Sequence, residues 1–380
     1  MPETGGGSAP LGIYVHVPFC ASRCGYCDFN TYTATELGSS VRRDDFHRVL
    51  AAEIAMSAAA LGADARPATT VFVGGGTPTL LGADGLRAVL DAVRAHYGLA
   101  AGAEITTEAN PDSVDESMLA ALREAGFTRI SFGMQSSAPS VLATLDRTHT
   151  EGAGIAAARM ARACGFEHVN LDLIYGTPGE SDDDLRRSVA DALAGDVDHI
   201  SAYALIVEEG TPLARRIRRG EVPMPDDDVA ADRYAVVDDL LTDAGMPWYE
   251  VSNWARPGGE CRHNLAYWHG EDWWGIGPGA HSHIGGVRWW NVKHPRTYAE
   301  RLAAGRLPEE EREEPTAEQR RMEHVMTGIR LRDGLPAADF DGTALERLVV
   351  EGLLTRERDR VVLTREGRLL ANAVIGRLLE

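Results

Sequence analysis

The chain has 380 residues, among them 38 Lys or Arg and 57 Asp or Glu, and carries a formal net charge of −19 at pH 7. This charge opposes nonspecific attraction to nucleic acid, so we expect no nucleic-acid partner. No apolar run approaches the roughly 20 residues that span a bilayer, and the opening residues lack the regions of a signal peptide. We therefore expect a cytoplasmic protein with no integral membrane segment, in which residues 1–10 are disordered.

Residues 11–210 alternate short β-rich runs with helical patterns, which is typical of a parallel sheet covered by helices. The six runs are GIYVHV, TTVFVGG, AEITTEA, TRISFGM, HVNLDLIYG and HISAYALIV. Apolar residues at helical spacing predict helices at Phe46–Leu61, Asp84–His96, Asp115–Ala125 and Ser181–Leu193. The pattern predicts an α/β fold, a partial TIM-like barrel of six β/α units, and periodicity alone leaves an open doubly wound sheet as the alternative.

Residues 211–307 are less regular and rich in aromatic side chains. A helix is predicted at Ala230–Ala244, and all seven tryptophans follow it, between Trp248 and Trp290. Indole rings dominate hydrophobic cores, so we expect most of them to pack together and close the open side of the incomplete barrel.

Residues 308–380 begin with the charged run PEEEREEP, which is typical of a solvated linker or an exposed helix start. A helix is predicted at Glu318–Leu331, followed by a second helix, two short strands joined at RERDR, and a final helix. This order matches a winged helix. Its nearly balanced charge favours a structural or partner-docking role over DNA binding.

The strongest chemical signal is the CxxxCxxC motif of Cys20, Cys24 and Cys27, in the loop after the first predicted strand. Structural zinc normally takes four ligands, and no second cysteine pair lies nearby. A plain cluster of three thiols on one loop would be open to oxidation. Three thiolates suit a [4Fe–4S] cluster in which one iron has no protein ligand. Clusters that only transfer electrons usually have a fourth cysteine on that iron.

This loop, with Tyr26 before its last cysteine and six β/α units around it, resembles the radical S-adenosylmethionine superfamily. The resemblance implies a radical SAM barrel in residues 11–210 and a [4Fe–4S] cluster on Cys20, Cys24 and Cys27. It also implies that the open iron binds the amino and carboxylate groups of S-adenosylmethionine. An electron from the cluster can then cleave that cofactor to a 5′-deoxyadenosyl radical.

Glycines and polar residues at the later strand ends supply groups that this cofactor needs. Glycines let the backbone approach the amino-acid moiety, and acids, an amide and a guanidinium match ammonium, ribose and carboxylate groups. The residues expected to bind S-adenosylmethionine are Tyr14, Tyr26, Gly75, Gly76, Thr77, Glu108, Gln135, Arg147 and Asp172. Together they resemble the subgroup of oxygen-independent coproporphyrinogen III oxidases and HemW-type heme chaperones.

Two features favour a chaperone over an oxidase. The oxidases carry a substantial segment before the cluster loop, whereas 19 residues precede the first cysteine of this loop. The stretch HNLAYW, residues 263–268, fits the HNxxYW pattern of HemW-type proteins, and the oxidases lack its histidine and tryptophan. The resemblance implies that His263 ligates heme iron. An iron porphyrin also needs apolar walls and cations for its propionates, which Tyr267 with Trp268 and Arg262 or Arg288 could supply.

We therefore expect a heme chaperone that binds heme, a [4Fe–4S] cluster and S-adenosylmethionine, and that passes heme to an acceptor protein. The alternative is an oxygen-independent coproporphyrinogen III oxidase, an oxidative decarboxylase of heme biosynthesis. No catalytic residue is assigned. The sequence leaves open the cleavage of S-adenosylmethionine, the identity of the acceptor, covalent heme attachment and the oligomeric state. Cys164 and Cys261 are expected to be packed free thiols, although the role of Cys261 stays open, and His16 is expected to position the cluster loop.

Overall fold

The computed structural model describes residues 9–37 and 41–380, and its centre is a parallel sheet. Six strands pair side by side in chain order: β1 (Leu11–Val17), β2 (Ala68–Gly75), β3 (Leu99–Ala109), β4 (Arg129–Gln135), β5 (His168–Tyr175) and β6 (His199–Ala204). In β1, Leu11, Ile13 and Val15 belong to the main hydrophobic core, while Tyr14 and His16 line cavities on the other face. The strand period of two therefore separates an apolar outer face from a polar interior.

Helices connect these strands: α1 (Ala34–Leu37), α2 (Phe46–Leu61), α3 (Gly82–His96), α4 (Glu116–Ala125), α5 (Pro139–Thr144), α6 (Ala153–Ala163) and α7 (Asp182–Ala194). Their ends follow ordinary capping rules. The Asp115 carboxylate accepts the backbone N–H of Met118 at the start of α4, and Gly126 ends that helix at φ 108°. The four helices predicted in this region are confirmed, with ends that differ by at most two residues. The predicted α/β fold of six β/α units is confirmed as well.

The aromatic region adds strands at both edges of this sheet. Its elements are α8 (Pro212–Arg218), α9 (Asp227–Asp243), β7 (Trp248–Glu250), β8 (Asn253–Ala255), α10 (Arg262–His269), β9 (Asp272–Ile276), β10 (His281–Ile284), β11 (Val287–Asn291), α11 (Pro295–Ala303) and β12 (Glu309–Glu313). Strand β8 pairs antiparallel with β6, whereas β9 pairs parallel with β1 and leads to β10, β11 and β12. In the described residues no strand pairing joins the two edges, so the 12-stranded sheet remains open.

One prediction for the later chain is wrong. The run Pro308–Pro315 is not a linker or a helix start, because Glu309–Glu313 forms β12 and pairs antiparallel with β11. The side chain of Arg288 on β11 reaches Glu313 at 2.8 Å, and Arg312 pairs with Glu309 at 2.7 Å. Charged residues are common on the edge strand of a sheet because they prevent pairing with another molecule. The charged composition of this run therefore belongs to an edge strand, and it does not distinguish such a strand from a linker.

The C-terminal residues form a small unit with its own core. It contains α12 (Ala317–Gly328), β13 (Leu335–Pro336), α13 (Gly342–Val350), β14 (Leu354–Glu357), β15 (Arg360–Leu363), α14 (Arg365–Leu369) and α15 (Ala371–Leu379). Strand β15 lies between β13 and β14, and the hairpin turn falls at the predicted RERDR. The order of two helices, a hairpin and closing helices agrees with the predicted winged-helix-like unit.

Short 3-10 helices complete the chain at Arg43–Asp45, Gly62–Asp64, Pro78–Leu81, Pro111–Ser113 and Ala337–Asp339. Among the described residues, no helix combines the length and apolarity needed to cross a bilayer. The disorder predicted for residues 1–10 concerns residues 1–8, which lie outside the described part, and Ala9 and Pro10, which are exposed.

Candidate functional site

The loop that carries the three cysteines is anchored at its base and its middle. It leaves β1 at Val17 and returns so that the N–H of Tyr32 donates to the Pro18 carbonyl at 2.7 Å. The N–H of Cys20 donates to the Tyr32 carbonyl at 3.0 Å, and the N–H of Gly25 donates to the Leu145 carbonyl at 2.9 Å. These contacts hold Cys20, Cys24 and Cys27 at the C-terminal end of the parallel strands, where such folds place their functional residues.

The three thiols are free and partly buried. Burial raises the pKa of the Cys20 thiol to about 11 and also raises the pKa of Cys27. Without a bound cation these two thiols stay protonated at neutral pH, and a metal would deprotonate them. Among the described residues, no three His, Cys, Asp or Glu side chains converge as ligands of one metal ion. In an iron–sulfur cluster each cysteine binds a different iron atom, so this wider arrangement fits a cluster better than a single zinc ion.

A cavity of about 150 Å³ adjoins this loop, and we call it the cysteine-loop cavity. All three cysteines line it. Eight of the nine residues predicted to bind S-adenosylmethionine also line it: Tyr26, Gly75, Gly76, Thr77, Glu108, Gln135, Arg147 and Asp172. The ninth, Tyr14, does not line it and lies deeper on β1, beside two other cavities.

Glycines bring the end of β2 against the cysteine loop. A Cβ atom on Gly76 would lie 2.8 Å from the Cys20 sulfur and would also overlap the Phe19 carbonyl. The N–H of Gly76 donates to the Val17 carbonyl at 2.9 Å, and the N–H of Thr77 donates to the Phe19 carbonyl at 2.7 Å. The backbone at Gly76 and Thr77 therefore makes a close approach, as predicted, and part of the space beside it is filled by the cysteine loop.

Two carboxyl groups face the cysteine-loop cavity, and within residues 9–37 and 41–380 no cationic side chain bonds to either. Glu108 accepts the N–H of Gly75 at 2.9 Å, and burial followed by repulsion from Asp172 raises the pKa of Glu108 to about 8. Burial also raises the pKa of Asp172, which accepts hydrogen bonds from Asn170 at 2.7 Å and Ser131 at 3.1 Å. A cation placed between Glu108 and Asp172 would stabilise both charged forms, which suits the ammonium group of an amino acid.

Arg147 supplies the positive charge of this cavity. Its guanidinium donates to the Cys24 sulfur at 3.4 Å and to the Gly133 carbonyl at 2.7 Å. The residues of the cavity thus offer thiols for a cluster, carboxyl groups for an ammonium and a guanidinium beside the Cys24 sulfur. This donor set fits a [4Fe–4S] cluster with S-adenosylmethionine.

Sequence reasoning missed Ser131, which also lines this cavity and donates to Asp172. Ser131, Gly133 and Gln135 alternate along β4 and therefore share one face. The strand period could have revealed Ser131 once Gln135 was assigned to the interior.

His263 lies at the opposite end of the strands from the cysteines. It is 1 % exposed, with Nδ1 2.7 Å from the Thr70 hydroxyl and Nε2 2.8 Å from the Tyr267 hydroxyl. Its backbone N–H donates to Glu104 at 3.0 Å, and burial lowers the pKa of the imidazole to about 4. Both ring nitrogens have partners, so the predicted ligation of heme iron would require His263 to release one of them.

Helix α10, which carries His263, covers this end of the barrel interior through a buried ion pair. Glu104 on β3 and Arg129 on β4 are each 2 % exposed and 3.1 Å apart, and Arg129 also donates to the Gly259 carbonyl at 2.7 Å. Cys261 lies 3.6 Å from Glu104, and burial raises the pKa of this thiol to about 12. Cys261 is therefore a packed, protonated thiol, as predicted.

A wide cavity of about 420 Å³, which we call the open cavity, lies beside β1 and β9. Tyr14, Phe29, Tyr267 and Trp273 give it aromatic walls, and His16 and His281 also line it. Its volume lies in the range of small-molecule sites, about 300–1,000 Å³. Phe29 also lines the cysteine-loop cavity, so the two cavities are neighbours.

His16 connects the open cavity with the cysteine loop. Its Nε2 donates to the Asn30 carbonyl at 2.9 Å, and its Nδ1 accepts from the Tyr14 hydroxyl at 3.1 Å. The Asn30 amide donates to the carbonyls of Pro278 at 2.9 Å and Lys293 at 2.8 Å. The predicted role of His16 in positioning the loop agrees with these contacts.

The strand order and the three-cysteine loop define the class of protein, that of the radical SAM fold. Residues 14–192 match the model of the Radical SAM superfamily, and residues 316–370 match that of the HemN C-terminal domain. A solved structure of coproporphyrinogen III oxidase from Escherichia coli superimposes with a TM-score of 0.83 and covers 97% of this chain and 90% of that one. At 23% identity this likeness shows the fold alone.

Closer relatives identify the family. A Mycobacterium tuberculosis protein named heme chaperone HemW is 58% identical over 97% of this chain and 95% of its own length. A Bacillus subtilis protein of the same name is 34% identical over 96% of this chain and 98% of its own length. The chain belongs to the HemW family of radical SAM proteins, which confirms the predicted family. Membership of the superfamily implies a [4Fe–4S] cluster and S-adenosylmethionine as cofactors.

Proposed function

We propose that this protein is a heme chaperone, which binds heme and passes it to an acceptor protein. The observation that carries the proposal is the open cavity, with its aromatic walls directly beside the cysteine loop. Planar aromatic ligands bind in concave, mostly apolar sites of this kind. The relatives named heme chaperone HemW, which match the chain over nearly its whole length, support the same function.

In this proposal Cys20, Cys24 and Cys27 hold the [4Fe–4S] cluster, and Arg147 stabilises the Cys24 thiolate. A cluster held by these cysteines would supply one-electron redox chemistry at this site. Glu108 and Asp172 bind the ammonium group of that cofactor, and ionise fully when they do so.

The acceptor protein is a partner that the chain must dock. We propose that the C-terminal unit serves this contact, and that neither this unit nor the acidic barrel binds nucleic acid, since the net charge of −19 opposes it. The predicted cytoplasmic location belongs to this proposal.

The test is a hemin titration of protein that has been purified and reconstituted without oxygen. We expect a saturable Soret band, and loss of the cluster but not of the fold in Cys24→Ser. Cys164→Ser is the matched control, because this thiol lies apart from the loop and contacts the Glu116 carbonyl. Its cluster content should equal that of the unaltered protein.

The same preparation distinguishes the alternative function. If it converted coproporphyrinogen III to protoporphyrinogen IX with reductant and S-adenosylmethionine, the chain would be an oxidase and the chaperone proposal would be wrong.

A further inference from the structure

Two histidines, His16 and His281, line the open cavity, and a third, His263, contacts the hydroxyl of the wall residue Tyr267. These three differ in whether a ring nitrogen is available. Both nitrogens of His16 are hydrogen-bonded, and so are both nitrogens of His263. His281 is exposed on the cavity wall, and the described residues place no hydrogen-bond partner on either of its ring nitrogens. An imidazole must offer a lone pair to bind a metal, and His281 alone of the three does so without breaking a contact.

The strand pairing fixes the direction of the His281 side chain. In β10, Ser282 and Ile284 are buried, so His281 and His283 lie on the other face of the strand. The His283 ring packs 5.0 Å from Trp273, which lines the open cavity, and places this face toward it. The His281 ring stacks on Trp290 at 5.5 Å, which restrains its orientation.

A cation accompanies this imidazole. Lys293 is the single lysine of the chain, among 38 basic residues, and it is exposed. Its backbone is tied to Asn30 on the cavity wall, and its charge contributes, after burial, to a lowered pKa of His281. In the described part of the chain no carboxylate pairs with Lys293, whereas Arg288 is engaged by Glu313 and Glu323. Lys293 is therefore free to pair with an anionic ligand.

We propose that an iron porphyrin occupies the open cavity with His281 as its axial ligand and Lys293 paired with a propionate. This inference rests on the proposed heme-binding function. The imidazole lone pair enters an open axial position of the iron or displaces water there, so no electron is transferred and no covalent bond is broken. His263 is then a positioning residue, because it holds the hydroxyl of Tyr267, whose ring forms one wall.

The experiment is a hemin titration of the full chain, without and with the reconstituted cluster, in three single variants. His281→Ala should bind hemin roughly tenfold more weakly and should lose the spectrum of a histidine-ligated heme, which added imidazole restores. His263→Ala should keep that spectrum. His269→Ala is the matched control, since this exposed residue ends α10 and does not line the cavity, and it should leave affinity and spectrum unchanged.

The outcomes separate the two proposals. A saturable titration of the unaltered protein combined with an unchanged spectrum in His281→Ala would overturn the assignment of the ligand and leave heme binding intact. The absence of saturable binding in the unaltered protein would overturn the proposed function itself. Far-ultraviolet circular dichroism shows whether each variant is folded. Lys293→Gln is a second test of the proposal, and we expect it to bind hemin more weakly without a change in the heme spectrum.

Discussion

Gly76 is the residue at which the end of β2 meets the cysteine loop. Its missing side chain leaves room for the Cys20 sulfur, while Glu108 and Arg147 reach the same cavity from β3 and from the segment after α5. The site is therefore assembled from residues far apart in sequence. Because Gly76 packs against Cys20, a shift of the backbone at Gly76 would also move this cysteine.

We predict that Gly76→Ala displaces the cysteine loop and lowers the iron and sulfide bound per chain after reconstitution, without unfolding the protein. The physical reason is the overlap of the new Cβ with the Phe19 carbonyl and its 2.8 Å approach to the Cys20 sulfur. Gly376→Ala is the control, because no atom lies within 4 Å of its new Cβ and alanine favours helix α15. Equal iron content in the two variants would contradict the prediction.

Most of the cysteine-loop cavity could be predicted at the residue scale because its members follow strand ends, which a motif reveals. Tyr14 was the exception, since a residue inside a strand shows no sign of which cavity it borders. The hydrogen bonds of His263 were equally hidden, because Thr70 comes from a strand almost 200 residues earlier. Motif position predicts chemistry, but the partners of a side chain depend on tertiary contacts.

Among the elements, helices with clear apolar patterns were predictable, whereas α10 was not. Helix α2 has 16 residues, whereas α10 has eight and lacks a side-chain cap, so its sequence carries no helical signal of its own. Tertiary packing of Cys261 and His263 on the barrel forms α10. The same limit explains β12, where pairing with β11 overrides a composition that resembles a linker.

The C-terminal unit docks on α9 through a buried charge, which gives an element-scale prediction. Asp238 on α9 accepts from Arg368 on α14 at 2.8 Å and from the Trp254 indole at 2.9 Å, and the Arg368 guanidinium lies 4.4 Å from the centre of the Trp248 ring. We expect Asp238→Asn to destabilise this contact by about 3–5 kcal/mol, because it leaves a buried guanidinium unpaired.

Hydrogen–deuterium exchange should then accelerate in α14 and α15. Asp239→Asn is the matched control, since this exposed neighbour pairs with Arg365 at the surface, and it should change stability by less than about 1 kcal/mol. Similar exchange in both variants would show that the Asp238 pair does not hold the C-terminal unit.

At the scale of the whole molecule, the acidic chain buries several carboxyl groups that prefer to be protonated. Burial raises the pKa of Glu53 to about 7, against hydrogen bonds from Tyr298, Gly277 and Asn291, and raises the pKa of Glu250 to about 8. The folded protein therefore holds protons that the unfolded chain releases near pH 4.5. Buried histidines act in the opposite direction, because burial lowers the pKa of His149 and of His263 to about 4 and also lowers the pKa of His16 and His199. Their effect on stability is complete below about pH 6.5, where the unfolded imidazoles lose their protons.

We accordingly predict that the free energy of unfolding of the metal-free protein falls as pH rises from 6.5 to 8.5. Each extra proton held by the folded state lowers the free energy of unfolding by about 1.4 kcal/mol for each unit that the pH rises. Urea unfolding at several pH values measures this slope, and Glu250→Gln, which is neutral throughout, should flatten it. A stability that rises over this interval would show that these carboxyls are ionised in the folded state.

The overall architecture followed from alternation of strands and helices, but the open cavity did not. It forms because β9 pairs with β1, some 260 positions earlier, and brings Trp273 and His281 opposite Tyr14. Periodicity reports the faces of a strand and is silent about its neighbours. A cavity that depends on which strands pair therefore cannot be predicted from the periodicity of a single sequence.

The single lysine has a practical consequence. Apart from the terminal amine, an amine-reactive reagent can modify this chain only at Lys293, whose backbone carbonyl accepts a hydrogen bond from Asn30 in the wall of the open cavity. Every other cation is a guanidinium, which such reagents leave untouched. A fluorophore or crosslinker attached through ordinary amine chemistry would therefore report from this one place, and an acceptor protein captured by a short crosslinker would have been docked beside the cavity.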